Sequence, residues 1–140
     1  MKNFLHLNFL PRSTDLALLV LRVCLGGSLL WLHGRGKLTG FSEMAAGFSD
    51  PLGIGSQTSL VLAILGEVLC AVLIVLGAFT RVAALGAAIT MGVAFFLVHG
   101  GQLSGQGNGE LAFVYLTVFA ALFFSGAGRF SVDARLGAKT

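Results

Sequence analysis

The chain has 140 residues, of which 56% are hydrophobic and only 11% charged, against about 25% charged in an ordinary soluble domain. Nine Lys or Arg, six Asp or Glu and a mean hydropathy of +0.90 exclude a disordered chain, and two cysteines argue against a disulfide-built scaffold. What is left is a polytopic membrane protein with room for roughly four or five spans.

In chain order, the first apolar segment is 4–10, FLHLNFL, too short to cross a bilayer and suited to its interface. A first span is expected at 15–33, with Ser13 or Thr14 as its cap and Arg22 as its formal charge. Pro11 and Asp15 precede it and no small-residue cleavage site follows, so it reads as a retained helix rather than a signal peptide. A Gly-rich loop with a short amphipathic helix at 41–48 leads to a second span at 57–79, interrupted only by Glu67. A tight turn at 80–81 makes the third span, 82–98, its antiparallel neighbour. A polar loop at 99–110 precedes a fourth, Phe-rich span at 111–126. Each is close to the ~20 residues a bilayer helix needs, the shorter ones by borrowing flanking residues. The runs are continuous rather than alternating, which argues against a β-barrel. The expectation is a single all-α domain over 1–140, a four-transmembrane-helix bundle.

Four spans place both termini and Arg81 on one side. That side carries Lys2, Arg12, Arg81, Arg129, Arg135 and Lys139, while the other carries Arg35 and Lys37. The positive-inside rule then puts the termini in the cytoplasm. The net charge of +3 is met by membrane-flanking cations and lipid, with no need of nucleic acid.

Arg22 and Glu67 carry the chemical signal, because a charge near the bilayer centre costs about 2.5–3.5 kcal/mol on insertion scales. Counted down from His33 and Gln57, they lie about 16 and 15 Å deep, so they are expected to pair or to share a polar network. The functional reading is an intramembrane site for a proton, a quinone-like head group or a small polar ligand; the structural one is an ion pair that fixes register. His33, Lys37, His99 and Glu110, at the outer ends of the spans, would form a polar mouth above the pair. No short-spacing ligand motif supports a metal there. Cys24 and Cys70 lack a CxxC arrangement and read as packing residues. No phosphate loop, dinucleotide fingerprint or nucleophile elbow is present.

Four ordered blocks resemble the DoxX family of bacterial inner-membrane proteins: LVLRVCLGGSLLWLHGRGKL (19–38), GEVLCAVLIVLGAFTRVAAL (66–85), MGVAFFLVHG with NGELAFVYL (91–100, 108–116) and GAGRFSVDARLG (126–137). The last has Phe130 where Trp is usual. The resemblance implies a four-helix membrane bundle in a quinone- or thiol-linked redox setting, since relatives include a membrane subunit of a thiosulfate:quinone oxidoreductase. It carries over Arg22, His33, Lys37, Glu67, Arg81, His99, Asn108, Glu110 and Arg129 as site positions, with Arg81 and Arg129 on the cytoplasmic side. It leaves open a quinone as cofactor and, as partner, a second copy or a soluble redox enzyme. The rival expectations are a non-catalytic membrane scaffold and a small solute permease.

Overall fold

The computed structural model describes residues 13–137. The interfacial segment expected at 4–10, and Lys2, Arg12 and Lys139 of the charge count, lie outside the described residues. Helix α1 is Thr14–Thr39, α2 is Phe41–Met44, α3 is Ser56–Leu76, α4 is Thr80–Val98, α5 is Glu110–Ser125 and α6 is Val132–Arg135. Ser13 caps α1, its Oγ accepting from the Leu16 amide at 3.1 Å.

The four-span expectation is corrected to three. Among the described residues α1, α3 and α4 are long and apolar enough to cross a membrane, whereas α5 has only 16 residues. At 1.5 Å per residue it is about 24 Å long, short of the ~30 Å hydrocarbon core. It cannot borrow flanking residues, because Gly109 and Gly126 leave helical geometry at its two ends. The architecture is therefore an all-α, multi-span bundle of three long helices with a shorter apolar helix packed on α4. Small residues on one face of α4, Ala83, Ala84, Ala87 and Ala88, let it lie close to Tyr115, Phe119 and Leu122 of α5, and these side chains form the core.

The register of α1 on α3 follows from two glycines. A Cβ on Gly34 would stand 2.5 Å from the Glu67 carbonyl oxygen, and one on Gly26 would stand 2.9 Å from Val75 Cγ2. Gly34 thus lies opposite Glu67, and Gly26 lies opposite Val75. Wide i→i+5 turns interrupt the helices at Arg22–Gly26, Leu29–Gly34, Leu65–Cys70 and Ala94–Val98. Such turns advance each residue by less than the usual helical angle, so the 3–4 spacing that put Arg22 and His33 on one face does not hold along α1.

At one end of the bundle, the chain after α5 folds back as a strap across the start of α1 and the α3–α4 turn. The Arg129 amide donates to Asp15 Oδ1 at 2.9 Å, and the Asp133 amide donates to the Gly77 carbonyl at 2.8 Å. The Asp133 carboxylate accepts the amides of Phe79 and Thr80 at 2.7 and 2.9 Å. It serves as the N-cap that α4 lacks, because Phe79 sits in the left-handed region at φ 48° and supplies no cap of its own. Gly77 is needed twice over: its φ is +70°, and a Cβ there would collide with the Arg22 guanidinium.

Partial burial pushes the Asp133 carboxyl up, but hydrogen bonds from Thr80 and Phe79 and the Arg22 charge outweigh this and hold it below its ordinary 3.8. A depressed folded value gives stability that is fully present above pH 3.8 and is lost as pH falls through the folded value. Hydrogen exchange at the Phe79 and Thr80 amides, corrected for intrinsic rates, should therefore accelerate in acid. Asp133→Asn should show faster exchange already at neutral pH. Equal protection in the variant and the wild type would contradict the strap.

Candidate functional site

The half of the bundle away from the strap holds a half-open cavity of about 670 Å³. One face of each of α1, α3, α4 and α5 lines it: Leu29, His33 and Lys37; Ser59, Gly66, Glu67 and Cys70; Gly86, Thr90 and Ala94; Ala112 and Tyr115. Most of the wall is apolar. Polar side chains reach it from all four helices, among them Lys37, Glu67, Thr90 and Tyr115.

The central feature is an ion pair. Lys37 Nζ lies 2.6 Å from Glu67 Oε2, with the two side chains 19% and 9% exposed. It forms because Gly34 brings the α1 backbone onto α3 at Glu67, and Lys37, one turn further on, reaches back along its flexible stem. His33 meets Tyr115 edge-on at 5.9 Å, and the Tyr115 hydroxyl shares a 2.8 Å hydrogen bond with Ser28 Oγ. His99 Nδ1 lies 2.8 Å from the Gly107 carbonyl. A carbonyl only accepts, so the neutral ring carries its proton on Nδ1 and keeps Nε2 as an acceptor.

Asn108 is occupied at both ends of its amide. Its Nδ2 donates to Gly105 O at 2.7 Å, and its Oδ1 accepts the Glu110 amide at 3.0 Å, which fixes the start of α5. Over the cavity lie Phe48, Pro51 and Leu52 of the loop before α3. Asp50 latches this loop: its carboxylate accepts from Ser59 Oγ at 2.7 Å and from the amides of Gly55 and Ile54 at 2.8 and 3.0 Å. Those bonds, the Ser59 one foremost, hold its carboxyl below the usual carboxylate range.

Arg22 and Glu67 do not pair. Arg22 is fully buried at the strap end, where Nη1 donates to the carbonyls of Ile74 and Val75 at 3.2 Å each and Nη2 donates to that of Phe130. The depth estimate failed because α1 does not stop at His33 but continues to Thr39. His33 and Lys37 thereby lie within the helix, level with Glu67. Arg22 is 12 residues from Gly34, about 18 Å of helix away from the Glu67 level. Of the other expected positions, His33, Lys37, Glu67, His99 and Asn108 come to the one cavity, and Glu110 is exposed beside it. Arg81 and Arg129 lie at the strap end, where Arg81 Nη2 donates to the Phe124 carbonyl at 3.3 Å and so caps the end of α5. Tyr115 was not singled out from sequence, although a sole tyrosine among twelve phenylalanines is a signal that its hydroxyl has a partner.

The DoxX family model matches residues 17–100. That range contains the sequence blocks at 19–38, 66–85 and 91–100, and with them His33, Lys37, Glu67 and His99; the blocks at 108–116 and 126–137 lie beyond it. An uncharacterized protein of Haemophilus influenzae is 34% identical over 110 residues, covering 73% of this chain and 78% of the relative. No solved structure matches the chain. With more than half of its length in the family model and its long apolar helices, this multi-pass bacterial inner-membrane chain belongs to the DoxX family.

Proposed function

We propose that the protein is a membrane component of redox metabolism whose cavity takes a small ring-bearing ligand of quinone type, anchored at Lys37 and Glu67. The observation that carries this is the ion pair on a cavity wall. A buried pair serving only as glue is best enclosed by packing, whereas this one faces about 670 Å³ of open space. That volume lies within the range of ~300–1,000 Å³ typical of small-molecule sites, and an apolar wall with a few convergent polar groups is their usual chemistry.

The residues fit such a ring. Lys37 supplies a charged donor for a ring oxygen, and the Glu67 carboxylate supplies an acceptor for a ring hydroxyl. Lys37 Nζ donates to Glu67 Oε2 at 2.6 Å, and the remaining Nζ hydrogens and Oε1 leave a donor and an acceptor side by side. His99, tied through Nδ1 to the Gly107 carbonyl of the polar loop, keeps Nε2 as a further acceptor on the lining. When bound, a quinone supplies two-electron, two-proton chemistry. Arg22 takes no part, since it serves the other end of the bundle.

In this reading the strap end, with Arg81, Arg129 and Arg135, faces the cytoplasm by the positive-inside rule, and it is the end at which a soluble redox enzyme or a second copy would dock. The test is calorimetric titration of an untailed benzoquinone into the protein in lipid nanodiscs. Saturable binding is expected, weakened about tenfold or more in Glu67→Gln, which corresponds to about 1.4 kcal/mol or more. Absence of saturable binding, or binding indifferent to Glu67→Gln, would favour the scaffold reading.

A further inference from the structure

We infer that residues 48–52 form a movable wall of the cavity and that Asp50 is its latch, a positioning residue that sets how long a ring stays bound; the role toward the ring rests on the cavity being a ring site, as proposed above. Phe48, Ser49, Pro51 and Leu52 all line the cavity. Residues 45–55, between α2 and α3, form no helix or strand. Their backbone hydrogen bonds are local: the Gly47 amide donates to the Met44 carbonyl at 3.2 Å, and the Gly53 amide donates to the Asp50 carbonyl at 3.3 Å. Among the described residues, one hydrogen bond joins residues 45–53 to the helices that line the cavity. In it Ser59 Oγ of α3 donates to Asp50 Oδ1 at 2.7 Å.

Behind this wall the protein is not filled. Phe48 and Ser49 also line a second, open hollow of about 250 Å³, together with Glu43, Met44 and Gly47. They stand as a partition with space on both faces, so the close packing that fixes a core side chain is missing behind them. Glycines flank the partition. A Cβ on Gly47 or Gly53 would meet nothing within 4 Å, and Gly53 and Gly55 have φ of 68° and 97°, a region glycine enters without steric cost. A segment with so few ties opens locally at small cost. What holds it in place is the Asp50 carboxylate. The Ile54 and Gly55 amides donate to it at 3.0 and 2.8 Å and fix the turn, and the Ser59 hydroxyl fixes that turn to α3. Ser59 is buried and itself lines the cavity, so the anchor of the latch and a bound ring share one wall.

The experiment uses the full chain in lipid nanodiscs, with Cys24→Ala so that Cys70, on the cavity lining, is the one thiol. Two rates are measured: dissociation of tetramethyl-p-benzoquinone, whose ring has no free position for a thiol to attack, and modification of ligand-free Cys70 by a small charged thiol reagent. Asp50→Ala should raise both, the dissociation rate by about tenfold, since losses of contact act mainly on release. Asp50→Asn, which keeps one acceptor oxygen, should fall between. Ser59→Ala should act in the same direction, and adding it to Asp50→Ala should have little further effect, because both remove one latch. A lowered unfolding midpoint in Asp50→Ala and Ser59→Ala with both rates unchanged would overturn the latch and leave Asp50 a structural cap. Acceleration of the Cys70 reaction with unchanged quinone release would overturn its role in retention. A wild-type protein that does not bind the quinone would overturn the ring site and the retention together, and the Cys70 rate alone would then decide whether the wall moves.

Discussion

Arg22→Met is expected to be the most destabilising single substitution at the strap end of the protein. The wild-type guanidinium serves three carbonyls, those of Ile74, Val75 and Phe130, from a position with no solvent exposure. Ile74 and Val75 end α3, where helix carbonyls have no further partners along the chain and the negative end of the helix dipole favours a cation. Phe130 belongs to the strap. One side chain thus ties α1, the end of α3 and the closing segment together. Methionine fills much of the volume but leaves those carbonyls in an apolar setting, each at about 1–3 kcal/mol, for a net loss of about 3–5 kcal/mol. Arg22→Lys keeps the charge, but a single ammonium cannot address carbonyls in two directions as the planar fork does, so an intermediate loss is expected. Unfolding in mixed detergent micelles, with proteolysis after residue 126 as a second readout, measures both. An Arg22→Met protein as stable and as protease-resistant as the wild type would show that the strap does not depend on Arg22.

The second large effect concerns the cavity pair, and it has a characteristic asymmetry. Glu67→Leu leaves the Lys37 ammonium in the cavity without its counter-ion, and Lys37→Met does the same to the Glu67 carboxylate. Removing one partner of a buried pair costs about 3–5 kcal/mol, because the remaining charge is stranded. The cavity moderates this to the extent that water enters it, so the lower end of that range is expected. Removing both charges together, Lys37→Met with Glu67→Leu, should return stability to within about 1 kcal/mol of the wild type, since replacing a buried pair by apolar groups is often neutral or better. The same detergent unfolding assay reads the cycle. A double variant as unstable as the sum of the two singles would mean that the groups act independently and that the 2.6 Å contact contributes nothing.

Much of the fold was legible because its signals are local. The scarcity of charge gave the membrane class, Ser13 was one of the two residues offered as the first cap, and the tight turn expected at 80–81 gave the α3–α4 hairpin, although the turn itself falls earlier, at 77–79. The end of α1 was not legible. Gly34 and Gly36 fall in what reads as a Gly-rich loop after the first span, yet Gly34 is where α1 rests on the α3 backbone, and a contact between distant residues outweighs the local cost of glycine, about 1 kcal/mol. That error of six residues displaced the polar map. It set Arg22 opposite Glu67, when the register sets Gly34 there. The fourth helix misled for the opposite reason: its composition is that of a span, but Gly109 and Gly126 stop it short. The polar residues of the cavity could be named from their types, while their pairing depended on register and on wide helical turns that leave no simple trace in sequence. The strap was visible as a motif, yet the work of Asp133 on the amides of Phe79 and Thr80, more than fifty residues away, was not.

The measurement that bears most directly on the proposed function is quinone-ring binding by the Lys37→Met, Glu67→Leu double variant in lipid nanodiscs, alongside its unfolding midpoint. If the pair is a ligand anchor, the double variant folds with near wild-type stability and loses saturable binding of the untailed ring. A double variant that folds and binds the ring with wild-type affinity would contradict the anchor and leave the ion pair as a structural element alone.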